Sequence, residues 1–289
     1  MKAGRAGAVA WKAALVLCLF ASSSVAAPFP SKPRVATVTV CGDTYALMLA
    51  DRDQIAAVSP EADGKLAYYP ERAKGLPRNR GDLEALLAAH ADLVLLEEGG
   101  NPQLERALKQ LGVRTITLPT SVKFSDIAET VRTVADAMGQ HARGETAAAD
   151  MMARVHKLEA QRPPENERPI ALYFRPDGGG GGKGTFMNSM VELAGFRNLQ
   201  VMLGMKGWKG IPLESIVEKP PQIFITGFFD TQSKSLAAVR GSKLNVVKTA
   251  GIPVVSLPGR GMVCASPALV ATAEQAADLR RKLFPESRP

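Results

Sequence analysis

The sequence predicts an α/β protein of two similar lobes, each built on a parallel sheet, with a cleft between them. Three observations point there. Short apolar runs alternate with helical stretches along most of the chain. Two ordered segments of the first half recur in the second, and a long helical stretch separates the halves. Strands that alternate with helices pair in parallel and give layered lobes.

The first residues read as a leader. Lys2, Arg5 and Lys12 precede the apolar run Ala13 to Ala21, and the small residues Ser22 to Ala27 follow. This is the order of a secretory signal, predicted here over residues 1–26. The run is too short for the ~20 residues that span a bilayer. Leu17 precedes Cys18 where a lipid anchor would need a small residue. Without the leader, 33 basic residues face 28 acidic ones. That mild excess, with no basic run or aromatic-interleaved stripe, is not the footprint of a nucleic-acid binder. Cys41 and Cys264 remain for an oxidising compartment.

The N-terminal lobe is expected over 34–124. Arg34 to Val40 reads as a buried strand, then Cys41-Gly42-Asp43-Thr44 turn into a helix over Tyr45 to Ala50. Ile55 to Ser59 is a second strand, and a polar loop with Tyr68-Tyr69-Pro70 follows. Asp82 caps a helix that starts at Leu83. Asp92 to Leu96 and Val113 to Leu118 are strands on either side of a helix, Asn101 to Leu111. Residues 125–162 form the linking helical segment. Gly139 and Gly144 are its weak points, and Glu145 to Gln161 reads as one helix of about 25 Å. The C-terminal lobe, 163–289, repeats the pattern. Its strands are Ile170 to Phe174, Gln222 to Thr226 and Val254 to Leu257, with helices around Asn188 to Ala194 and over Pro267 to Leu283.

Leu83-Glu84 leads to Asp92-Leu93-Val94-Leu95, and Leu213-Glu214 leads to Gln222-Ile223-Phe224-Ile225 at the same spacing. Leu111-Gly112-Val113 to Leu118-Pro119 recurs as Ala250-Gly251-Ile252 to Leu257-Pro258. Two ordered matches support duplication into two Rossmann-like lobes.

Open α/β sheets bind ligands beyond the carboxyl ends of their strands. The residues expected there are Asp43, Tyr45, Tyr69 and Asn101 from the first lobe, and Arg175, Trp208, Phe228 and Arg260 from the second. This mixed aromatic and polar set suits a large, partly flat ligand. Arg78, Arg80, Lys183, Lys206 and Lys209 add a basic rim that favours an anionic ligand. Gly178 to Gly182 with Lys183-Gly184-Thr185 misses the phosphate-loop pattern at two positions and is expected to be a mobile loop at the cleft edge. His90, His141 and His156 lie on predicted helices away from other metal-ligand types. No catalytic constellation and no metal cluster is legible, so the reading is of a binder, not an enzyme.

The chain resembles the substrate-binding proteins of ABC importers for cobalamin, ferric siderophores and haem, whose lobes are joined by one long helix. The resemblance runs from Arg34 to Leu283 and rests on an ordered series. Gly81-Asp82-Leu83-Glu84, Ala91-Asp92-Leu93-Val94-Leu95 and Glu98-Gly99-Gly100-Asn101 carry it in the first lobe. Ala194-Gly195-Phe196-Arg197-Asn198-Leu199, Pro212-Leu213-Glu214 and Pro221-Gln222-Ile223-Phe224-Ile225 carry it in the second. It implies a periplasmic monomer that needs no cofactor and captures a metal chelate: a ferric siderophore, cobalamin or haem. It implies delivery to an inner-membrane ABC permease dimer, with Glu84 and Glu214 docking onto the permease's basic pockets. It also implies modest lobe closure. Trp208 is the only tryptophan outside the leader, fewer than vitamin-B12-binding members carry. Cys41 and Cys264 fall on the cleft side of different lobes. They are either bridged, tying the lobes together, or two free thiols able to act as soft metal ligands. An exported two-lobe enzyme and a sensor that signals to a membrane receptor are the alternatives.

Overall fold

Parallel strands covered on both faces need continuous apolar runs, and Leu93-Val94-Leu95-Leu96 and Ile170-Ala171-Leu172-Tyr173-Phe174 supply them. In the computed structural model, which describes residues 32–175, 178–227 and 251–285, these runs become central strands of two sheets. The first sheet contains β1 (Val35–Thr37), β2 (Ile55–Ala57), β3 (Leu93–Glu97) and β4 (Arg114–Leu118), in the order β2-β1-β3-β4. The second contains β5 (Ile170–Phe174), β6 (Arg197–Asn198), β7 (Ile223–Thr226) and β8 (Val254–Ser256), in the order β6-β5-β7-β8. Every pairing of these strands among the described residues is parallel, and the two orders correspond strand for strand. The duplication read from sequence is therefore a duplication of topology.

Helices α1 (Val40–Leu49), α2 (Pro70–Ala73), α3 (Leu83–Ala88) and α4 (Pro102–Gln110) belong to the first half. Helices α5 (Phe124–Ala137) and α6 (His141–Ala160) link the halves. Helices α7 (Phe186–Leu193), α8 (Leu199–Met202), α9 (Leu213–Glu218) and α10 (Ala268–Leu283) complete the described residues.

Two boundaries differ from the expectation in ways that matter for the site. β1 ends at Thr37 and α1 starts at Val40, because Thr39 adopts an extended backbone and its hydroxyl accepts the Gly42 N–H. A side-chain cap at that point commits the next residues to helix. The linking segment is two helices, α5 and the longer α6. Gly139, at φ 68°, turns the chain between them. Gly144 does not weaken α6 but sits within it, and α6 runs 20 residues, about 30 Å. A Cβ on Gly144 would overlap the Ala135 Cβ of α5. The glycine is there because the two helices touch. Gly144→Ala is expected to lower the unfolding free energy by about 1–3 kcal/mol through overpacking, although alanine is the better helix former by ~1 kcal/mol. Denaturant unfolding would measure it.

Side chains alternate along each strand. Val94 and Leu96 face Leu86, Leu104 and Leu108 of the outer helices. Leu93 and Leu95 face inward, into a core that continues through Ile127, Val131, Met151 and Val155 to Tyr173, Ile225 and Leu269 of the other half. One apolar core thus runs from sheet to sheet through the linking helices. Arg154 of α6 clamps Glu274 of α10 with two bonds, at 2.8 and 2.6 Å. Arg143 of α6 bonds Asp51 at 2.6 Å. The linker is fastened to both halves.

Candidate functional site

The carboxyl ends of the two sheets meet at a floor made by α1, the end of β3 and the segment before α10. Cys41, second residue of α1, is bonded to Cys264, with their Cα atoms 5.6 Å apart. Four residues on, along the same helix face, Tyr45 donates its hydroxyl to the Ala265 carbonyl at 3.0 Å. Glu97, last residue of β3, brings a carboxylate oxygen to this point. That oxygen and the two sulphurs all lie within 4.8 Å of one another. Met262 fills the space over Gly227, where a Cβ would meet its methyl group.

Two expected ligand contacts are corrected by this geometry. Asp43 is 2% exposed. It accepts from the Thr37 hydroxyl, from Ser59 N at 3.0 Å and from Ser59 Oγ at 2.5 Å. The carboxylate holds the ends of β1 and β2 together and does not face the cleft. Burial raises its pKa, and the bonds from Ser59 and Thr37 act against that rise. Tyr45, also 2% exposed, spends its hydroxyl on the interlobe bond, and burial pushes its pKa well up. Sequence position put both residues after the first strand. The early start of α1 turns them inward.

Asp43 gives a test that separates a structural role from a ligand role. Asp43→Ala leaves buried donors of Ser59 and Thr37 unsatisfied, at about 1–3 kcal/mol each. It is expected to lower stability strongly, whereas Asp43→Asn keeps an acceptor and loses less. The folded pKa is raised, so the folded state holds the proton over a window where the unfolded state has lost it. Stability from this group is therefore present at low pH and falls as pH climbs from the ordinary carboxylate range to the raised value. Asp43→Asn removes that slope. Unfolding curves of both proteins between pH 3 and pH 8, roughly, would show it as a difference.

The remaining expected residues divide. Tyr69 is half-buried against the Leu47, Ile55 and Val58 cluster, under the Arg72 guanidinium at 5.1 Å. Burial raises its pKa. Its neighbour Tyr68 crosses to the second lobe and lines a cavity of about 360 Å³ with Arg260, Gly261, Thr272 and Gln275. Tyr68, not Tyr69, is thus the tyrosine that faces Arg260. Asn101 is exposed, with its side-chain oxygen capping α4 at Gln103 N and Leu104 N. Arg175 lies half-buried at the end of β5. Trp208 is 44% exposed and edge-on to Phe186, ring centres 5.0 Å apart. Phe228 lies outside the described residues, as do residues 1–26.

The glycine run is a built element, which corrects the expectation of a mobile loop. Gly180 N bonds Lys209 O at 3.1 Å, Gly182 N bonds Gly207 O at 3.0 Å, and Lys183 N bonds Met205 O at 3.0 Å. A Cβ on Gly181 would come within 2.7 Å of Met187, and one on Gly182 within 2.7 Å of the Met205 carbonyl. The glycines let this ribbon pack closely, and the ribbon holds Trp208 outward. Of the expected basic rim, Arg78 pairs with Asp63 at 2.6 Å, while Lys183, Lys206, Lys209 and Arg260 are exposed.

Glu84 and Glu214 are each the second residue of a six-residue helix, α3 and α9, and both are exposed. Each helix runs into the equivalent strand of its sheet, β3 or β7, ten residues after its own start. His90, His141 and His156 are exposed, and Asp136 raises the pKa of His141 through a 2.7 Å contact.

The profile of a family described as "Periplasmic binding protein" matches residues 35–240. The chain is 26% identical over 274 residues to the vitamin B12-binding protein of Yersinia pseudotuberculosis, covering 91% of each. It is 24% identical to an uncharacterised ABC transporter substrate-binding lipoprotein, YvrC, of Bacillus subtilis, over 63% of this chain and 59% of that protein. In fold it is similar to the periplasmic haem-binding protein HutB of Vibrio cholerae, with TM-score 0.71 and 16% identity over 89% of this chain and all of that one.

Proposed function

The chain belongs to the periplasmic binding protein family, and on that premise we propose that it captures a metal chelate outside the cytoplasm and hands it to an ABC permease. It is a binding protein of transport, not an enzyme. The cargo is a cobalamin, haem or ferric siderophore, held between Tyr68 and Arg260 on one side of the cleft and Trp208 at its rim. The protein is exported by cleavage after its leader and acts as a monomer.

One observation carries this reading. Two sheets of the same strand order present Glu84 and Glu214 at equivalent, exposed places. A transporter with two like halves offers two like receptors, and a duplicated acidic pair on one chain matches that symmetry. Charge-assisted pairs set orientation and encounter rate. The exposed basic groups near the cleft, Arg260, Lys206 and Lys209, favour an anionic cargo.

Trp208 reports on the cleft, since the other tryptophan of the chain, Trp11, falls in the leader. Titration of the mature chain with haem, cobalamin and a ferric hydroxamate is expected to quench Trp208 emission with at least one of the three, at about micromolar affinity or tighter. Trp208→Phe should remove the signal while calorimetry still shows binding. Binding of a free amino acid, sugar or peptide, and of none of the chelates, would reject the proposal.

A further inference from the structure

Three donor atoms converge on the cleft floor from three elements. Cys41 comes from α1, Glu97 from the end of β3 and Cys264 from the segment that leads into α10. Glu97 is half-buried, and among the described residues no donor pairs with its carboxylate, whereas Glu98 beside it accepts from Thr120 N at 2.8 Å. Among the described residues, nothing else uses this carboxylate in the bridged state.

We propose that the reduced form of this floor is a metal site, in which Cys41, Cys264 and Glu97 hold one thiophilic divalent cation of the zinc class. The bridge and the metal are alternative states of the same atoms. The donor set fits. Zinc takes thiolates at about 2.3 Å and carboxylate oxygens at about 2.0–2.2 Å, and three protein ligands leave a fourth position open. Two thiolates on one such ion sit roughly 3.8 Å apart, so the sulphurs must part from bonding distance on reduction, with the Glu97 oxygen already within 4.8 Å of both. Cys41 lies in the first turn of a ten-residue helix, where the helix end favours the thiolate.

The chemistry balances. A dithiol attacks the Cys41–Cys264 bond, becomes a cyclic disulfide itself, and leaves two protein thiols, having transferred two electrons and two protons. The cation then displaces the two thiol protons to solvent and binds both sulphurs. A disulfide oxidant takes two electrons from the sulphurs and two protons from solvent to become two thiols, re-forms the Cys41–Cys264 bond and so expels the cation. This places metal capture and lobe bridging in competition at the base of the cleft, whichever cargo the cleft takes.

The test uses the mature chain, reduced with a dithiol and freed of it, with Co²⁺ as probe. One Co²⁺ per reduced chain is expected, with a thiolate-to-cobalt charge-transfer band in the near ultraviolet. The oxidised chain should show neither. Glu97→Gln should keep the band and weaken binding by about tenfold or more, with a free-thiol count unchanged from the parent. Cys41→Ser and Cys264→Ser should each weaken or lose the band. No charge-transfer band in the reduced chain, an equal Co²⁺ affinity in the oxidised chain, or a reduced chain that has lost its fold by circular dichroism would each overturn the proposal.

Discussion

Replacing both Glu84 and Glu214 with alanine is expected to abolish uptake of the cargo in cells while leaving its affinity for the purified protein unchanged. Each single replacement should reduce uptake less than the pair. Both side chains are exposed, and neither lines the cavity beside Tyr68 and Arg260. Asp82 caps α3 through Ala85 N, so the fold of that helix does not depend on Glu84. Removing an acid from the first turn of a helix costs about 0.3–1 kcal/mol through the helix dipole, too little to unfold the protein. Under the proposed docking, uptake falls because the two charged contacts that would orient the protein on its permease are lost together. Normal uptake by the double variant would remove the docking role. Loss of cargo affinity would instead place these acids in binding.

The second large effect concerns the bridge. Replacing Cys41 and Cys264 with serine is expected to lower stability by about 2–4 kcal/mol, and the thermal midpoint by roughly 5–15 °C. The bridge closes a separation of 223 residues. By the chain-entropy argument a loop of that size comes to about 5.4 kcal/mol, an upper value that engineered and native bridges seldom reach. The lobes should still hold together. The shared core, the Tyr45 bond to Ala265 and the Arg154–Glu274 pair all remain. Calorimetry of the serine variant and of the parent with and without a dithiol would measure the loss. Equal midpoints for all three would mean that the bridge adds nothing to the folded state.

How much of this was legible in the sequence depended on the kind of signal. Buried strands were plain, because Leu93 to Leu96 and Ile170 to Phe174 are unbroken apolar runs. The duplication was plain too, and it appears as one strand order used twice. β6 was missed because two polar residues, Arg197 and Asn198, carry no apolar pattern. The site was less legible. Sequence order places Asp43 and Tyr45 beyond a strand, but only the cap at Thr39 decides that they sit on a helix and turn inward. The spacing of Cys41 and Tyr45, one helical turn apart, was a readable sign that both meet the same partner segment. Nothing in Tyr68-Tyr69 tells which ring crosses to the other lobe. That follows from the turn into α2 and from packing around Leu47. Glu97 carries no sequence pattern of its own, and its place beside the sulphurs arises only when both sheets are assembled.

The most direct test of the account is what the protein carries when it leaves its own cell. Mass and visible absorption spectra of protein purified natively from the extracytoplasmic fraction should reveal a metal chelate at close to one per chain, with the absorption band of a corrinoid, a haem or a ferric complex. A native preparation saturated with a colourless, metal-free solute would contradict it.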